Sequence, residues 1–225
     1  MQSIKRTSLI FGIFFAGTFI FSIPALFFYD PLFNDPAYIL KGGFDTRISF
    51  GALFEIFTAI CNIATAIVIF PLMKRVSESV SLGYVASRTV ESLLILAGVI
   101  SLMSVMTFKA DLDLSSGSHD INMIRQIYVV FHDWTFLLGP QFCSGFGNGM
   151  LLGYLMYRSG AVPRRMALLG LIGGPLAFIG GVMVLFNILK PLSPGLFALT
   201  AIEIIWELSI TVYAIFKGFR PLQNV

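Results

Sequence analysis

Ionisable residues recur inside stretches of this chain that are otherwise apolar over membrane length: Glu55, Arg88 with Glu91, His132 with Asp133, and Glu203 with Glu207. A charge at bilayer depth costs about 2.5–3.5 kcal/mol on insertion scales, so such residues face a protein interior and often mark a working site. Carboxyl groups placed there can exchange protons, hold a cation, or act as acid and base with a histidine as shuttle. Two amides, Asn62 and Gln141, lie in the same kind of stretch.

Spacing assigns these groups to helix faces. Glu55, Thr58, Asn62 and Thr65 recur at i, i+3, i+7 and i+10, which is one side of a helix. Thr200, Glu203, Glu207 and Thr211, at i, i+3, i+7 and i+11, likewise share one face. Asp133, Gln141, Ser144 and Asn148 share a face at α-helical phase, with His132 about 100° away around the axis. Arg88 and Glu91, three residues apart, can pair on one helix surface.

The elements that carry these stripes follow from composition. Of 225 residues, 56% are hydrophobic and 12% charged, with a mean hydropathy of +0.86. A soluble domain carries about a quarter of its residues charged. The expected fold class is therefore all-α: one integral membrane domain over residues 1–225, with the lipid bilayer as its first partner and no nucleic-acid role. Transmembrane helices need about 20 apolar residues. Six spans are expected, near 8–29, 48–72, 85–107, 127–157, 166–188 and 196–216. The first, behind Lys5 and Arg6, is longer than a signal-peptide core and reads as an uncleaved anchor. The fourth is too long for one straight crossing, so it projects beyond the bilayer or bends at Gly139-Pro140.

Loop charges orient the chain. Lys5, Arg6, Lys74, Arg75, Arg158, Arg164, Arg165, Lys217 and Arg220 fall on one side. Lys41, Arg47, Lys109, Arg125 and Lys190 fall on the other, together with Asp30, Asp35, Asp45, Asp111, Asp113 and Asp120. The positive-inside rule places both termini in the cytoplasm of a cell whose inner membrane holds the protein. Cys61 and Cys143 lie in apolar runs and read as free thiols.

Depth along each span suggests an outer tier rich in carboxylates (Glu55, Asp133, Glu203, with His132), a middle tier of Asn62, Glu91, Gln141 and Glu207, and Arg88 nearer the cytoplasm. Clustered carboxylates in low dielectric cannot all ionise, so this tier would share protons or hold a cation. Packing offers a plainer account of several parts: Arg88 and Glu91 as a buried ion pair, Asn62 and Gln141 as interhelical hydrogen-bonding groups. Spans one and five carry no ionisable residue and read as packing or lipid-facing helices. A metal could draw on His132, Asp133, Glu55 and Glu203, but no paired histidine motif supports one. Haem ligation by His119 and His132 is disfavoured because His119 sits in a polar loop. No cofactor is expected. The Gly145, Gly149, Gly153 ladder is a small-residue packing face, and Gly173-Gly174-Pro175 and Gly180-Gly181 indicate close helix approach.

The run Phe70-Pro71-Leu72-Met73-Lys74-Arg75, then Glu78, Leu82-Gly83-Tyr84-Val85, Arg88 and Glu91, resembles the signature of a bacterial multi-pass membrane family catalogued as domain of unknown function 4386. Pro163 through Gly170-Leu171-Ile172-Gly173, and Glu203 leading to Lys217-Gly218-Phe219, fit the same pattern. The likeness covers roughly residues 45–220. It implies a multi-helix membrane protein, gives priority to Arg88, Glu91 and Glu203, and says nothing of activity.

Three classes of function fit these residues. The favoured one is non-enzymatic: a polar, carboxylate-rich intramembrane site that binds, senses or moves a small polar species or protons, with a second copy or a larger membrane partner beside it. An intramembrane enzyme acting on a lipid or isoprenoid would use Glu55, Asp133 or Glu203 as acid or base and His132 as shuttle. A structural or accessory subunit would use the charges for packing alone.

Overall fold

The computed structural model describes residues 2–35, 37–41, 43–110 and 118–222, without the side chains of residues 2–3 and 118–122. All regular structure among them is helical. Helix α1 covers Gln2–Asn34, α2 Thr46–Met73, α3 Glu78–Ala110, α4 Ser118–Phe136, α5 Gly153–Ser159, α6 Arg164–Leu185 and α7 Pro194–Phe216. Five of these, α1, α2, α3, α6 and α7, are long and apolar enough to cross a membrane. Most outrun the expected spans, so the stretch expected as an outer loop near 30–47 is partly helix, with α1 running on through Pro31 to Asn34. Asp111 and Asp113 lie outside the described residues, as do the side chains of His119 and Asp120.

The fourth expected span takes an unexpected form. Between α4 and α5 the helix continues through two π-helical segments, Leu137–Cys143 and Gly145–Leu152. Pro140 supplies the local cause. It has no N–H, so the carbonyl four residues before it, on Phe136, loses its α-helical donor exactly where the wider i→i+5 register begins. Five glycines between Gly139 and Gly153 then leave little intrinsic preference for returning to tighter winding.

The helices close into a ring: α1 packs on α2, α2 on α3, α3 on α4 and the π segments, these on α6, α6 on α7, and α7 on α1. The glycine ladder makes the seam to α6. A Cβ at Gly149 would sit 2.3 Å from the Gly174 Cα, so the two backbones touch only because neither residue has a side chain. Both ends of the described chain meet. Ser8 donates to the Ala214 carbonyl at 3.0 Å and accepts from the Phe219 N–H at 2.9 Å. An apolar cluster around Phe11, Met73, Met156 and Phe219 fills this end. Another, around Tyr29, Leu32, Ile48 and Met106, fills the opposite end. The outer faces expose Ile20, Ile67, Leu93, Ile100 and Phe197, as lipid contact requires.

At the end away from the termini, Asp45 caps α2 by accepting from the Arg47 N–H at 2.9 Å. The Tyr38 hydroxyl donates to the same carboxylate at 2.6 Å, and Lys109 lies 4.1 Å from the Tyr38 ring centre. The Tyr38 hydroxyl, with help from that backbone N–H and the Lys109 charge, holds Asp45 below the usual carboxylate range. A depressed carboxyl contributes stability that is complete above its unfolded value of about 3.9 and is lost as pH falls through the folded value. Asp45→Ala should cost about 1 kcal/mol as a lost cap. Thermal melts from about pH 6 down to about pH 3 should show the wild type losing its advantage over Asp45→Ala.

Candidate functional site

The polar side chains of the ring divide into separate groups. The central one joins α2 to α3. Arg88 Nη1 donates to Glu91 Oε2 at 2.7 Å, Arg88 Nη2 donates to Asn62 Oδ1, and Asn62 Nδ2 donates to Glu91 Oε1 at 3.2 Å. All three residues are buried, and the guanidinium lies 5.6 Å from the Phe15 ring of α1. The three-residue spacing thus yields the expected ion pair, and the α2 stripe delivers Asn62 to it. Ser92 adds a backbone tie, donating to the Ala59 carbonyl at 3.1 Å.

The second group lies nearer the end away from the termini. Glu55 Oε1 is 3.1 Å from His132 Nε2, and its other oxygen accepts from the Tyr29 hydroxyl at 3.1 Å. Tyr29, Phe33 and Phe136 surround the imidazole with ring centres 5.4–5.8 Å away. Gly98 on α3 lets it in: a Cβ there would lie 3.0 Å from His132 Cδ2. Helix α1, expected only to pack or face lipid, therefore supplies a hydrogen-bond donor here and an aromatic face to Arg88.

The third group links the π segments to α7. Ser144 Oγ and Asn148 Nδ2 each donate to Glu207 Oε1 at 2.6 Å, and the Trp206 indole donates to the Asn148 carbonyl at 2.9 Å. Glu207 and Tyr84 both lie within electrostatic reach of Arg88, which couples this group to the central one. Gln141 stands apart, donating to the Ala177 carbonyl of α6 at 2.7 Å and to Thr200 at 3.0 Å.

Two expectations fail here. The single outer carboxylate tier does not form: Glu55 pairs with His132, Glu203 lies against α6, and the Asp133 side chain is 53% exposed, 4.0 Å from His132 Nδ1. Among the described residues no group of three or more His, Cys, Asp or Glu side chains is placed to hold a metal. Asp133 also leaves the face it was expected to share with Gln141, Ser144 and Asn148, which all reach α7, because π winding turns the helix by a smaller angle per residue and shifts the phase beyond Phe136. Two loop cations turn out buried instead: Lys109 over Tyr38, and Arg125 donating to the Leu32 carbonyl at 2.6 Å. Their signal was weak in the sequence, since both sit just beyond the apolar runs.

Several buried polar atoms at the ring's centre lack hydrogen-bond partners among the described residues: Arg88 Nε, Asn148 Oδ1 and both oxygens of Glu203. Native interiors rarely leave such groups unmatched, and each asks for an explanation such as an ion, a water or a ligand. A groove of about 280 Å³ between α3 and α4 is a different feature: it is apolar, lined by Ala97, Ile100, Ser104, Ile127 and Phe131 among others, and none of the ionisable residues borders it.

Removing one member of a buried ion pair costs about 3–5 kcal/mol, whereas replacing both by apolar residues of similar volume is often neutral or better. Arg88→Met and Glu91→Leu should each destabilise the protein strongly in detergent unfolding, and the double substitution should recover a large part of the loss. Simple additivity of the two costs would show that the pair does not hold the bundle.

No curated protein and no solved structure matches the chain. One family model does, over residues 10–218, so nearly all of the ring and every residue of the three groups falls within it. The chain belongs to the family described as Domain of unknown function (DUF4386).

Proposed function

We propose that the protein crosses the inner membrane six times with both termini in the cytoplasm, and that its ring holds a polar site that binds or moves a small polar species or protons. The parity of the fold supports the sixth crossing. Five crossings would leave the chain ends on opposite faces, yet Ser8 hydrogen-bonds to Ala214 and Phe219. The rod from α4 through the π segments to α5 supplies the missing passage. Lys5, Arg6, Arg220 and the other inner basic residues then lie on the positive side. A reporter active only in the cytoplasm should work when fused at either terminus and fail when inserted between α3 and α4.

The observation that carries the binding role is the convergence on Arg88. Its guanidinium satisfies Glu91 and Asn62 through Nη1 and Nη2 and leaves Nε without a partner among the described residues, while Asn148 brings an unmatched side-chain amide oxygen, and Tyr84 a buried hydroxyl, to the same ring interior. A ring built for packing alone would gain by replacing such groups with apolar side chains. Small ligands with both donors and acceptors fit this set.

Thermal melts of the detergent-purified protein across pH, with sodium, potassium, magnesium, chloride, phosphate and acetate added singly, test the reading. A ligand at about 100-fold over its Kd stabilises by about 2.7 kcal/mol. The expected result is a rise in Tm with one of these species, or a Tm that depends on pH above about pH 6, outside the acid range in which Asp45 titrates, that is absent from Glu207→Gln and from the Arg88→Met/Glu91→Leu double variant. Flat curves for all three proteins would overturn the site and leave a packed polar network.

A further inference from the structure

The glutamates of the ring differ in what reaches them. Glu91 accepts from Arg88 and Asn62, Glu55 from Tyr29 with His132 beside it, and Glu207 from Ser144 and Asn148. Glu203 is as buried as Glu55, at 2% exposure, and neither of its oxygens has a hydrogen-bond partner among the described residues. It sits one helical turn before Glu207 on the same face of α7.

Its surroundings are backbone and glycine. A Cβ at Gly149 would lie 2.7 Å from Glu203 Oε2, and a Cβ at Gly173 would lie 2.6 Å from the Glu203 N. The carboxyl is thus pressed into the seam where the π segment, α6 and α7 meet. Glu207 on its own helix and Arg88 on α3 are the charged groups within reach; the facing stretches of α6 and the π segment present Gly173, Gly174 and Gly149. Arg88 is already engaged by Glu91.

An isolated carboxylate in such a place has no donor to replace the water it lost, and the Glu207 carboxyl one turn along α7 supplies none. We infer that Glu203 is a proton-binding site of the membrane interior, its carboxyl carrying an exchangeable proton beside a Glu207 carboxyl that two donors already serve. The inference rests on the reading of the ring interior as a functional polar site and names its occupant at one residue. Protonation adds H⁺ to one oxygen of Glu203 and release returns it, with no other bond changed.

Infrared difference spectroscopy of the full-length protein in lipid reads this state directly, through the C=O stretch of a protonated carboxyl and its shift in D₂O. At neutral pH that band should be present in the wild type, disappear in Glu203→Gln and in Glu203→Met, and survive in Glu55→Gln. Raising the pH should remove it and lowering the pH restore it. Met fills a similar volume without a carboxyl, so at least one variant should keep the wild-type helical content and Tm. A band unchanged by both substitutions, or none at any pH, overturns the assignment. Loss of the band on adding sodium chloride but not choline chloride at constant pH would overturn it in favour of a metal cation. The spectrum reports the carboxyl whether or not any ligand shifts the melting curve, so the two readings can fail separately.

Discussion

A guanidinium buried between membrane-length helices must carry its acceptors with it, because no solvent is present to supply them. Arg88 meets that constraint at both terminal nitrogens, with Glu91 one turn along its own helix and Asn62 across on α2, and leaves only Nε unmatched among the described residues. Everything near it follows from that demand. The α2–α3 contact is drawn close enough for Asn62 to bridge both charges, Phe15 of α1 lies within reach of the guanidinium, and the ends of the ring are left to apolar clusters that seal the pair from both sides. In water such a pair would contribute little. At this depth separating its members is what the fold cannot tolerate.

The departure from α-helical winding between Leu137 and Leu152 belongs to the same logic. An i→i+5 stretch leaves carbonyls that look for other donors, and side chains of neighbouring helices provide them: Ser87 of α3 donates to the Cys143 carbonyl at 2.9 Å, and Trp206 of α7 to that of Asn148. Irregular backbone survives in a membrane only where protein covers it. Here the cover comes from three helices at once, and the glycines that weaken α winding are the same ones that let α6 approach. The site residues Ser144 and Asn148 sit in this stretch, so the geometry at Glu207 depends on the π register.

Much of this was legible in residue spacing. The five long helices follow from hydropathy, and the stripes on α2 and α7 keep their phase because both helices are regular over the relevant turns: Glu55 and Asn62 both point inward, as do Glu203 and Thr211. The Arg88–Glu91 pair was visible from its three-residue interval alone. The failure came where the period itself changed. Extrapolating 100° per residue from Asp133 across Pro140 predicts an inward carboxylate, while the structure turns His132 in and leaves Asp133 exposed. Nor could one sequence show which stripes meet. Glu55 and Glu203 lie at similar expected depth, yet one faces an imidazole and the other faces glycine backbone.

That last contrast decides how the interior can work. Four glutamates lie within one ring's interior, and their environments form a series: Glu91 with a guanidinium and an amide, Glu207 with a hydroxyl and an amide, Glu55 with a phenol and an imidazole, Glu203 with no hydrogen-bond partner among the described residues. A carboxyl locked in an ion pair has little freedom to change its charge, since each change would strand its partner. The charge that can move belongs to the group with fewest commitments. Glu203 and Glu207, adjacent on α7 and unequally served, therefore form the pair most able to respond to a proton or ion, and Arg88 acts on both from α3 without being free to leave Glu91. On this argument the ion pair is the scaffold, and the responsive chemistry lies one helix away.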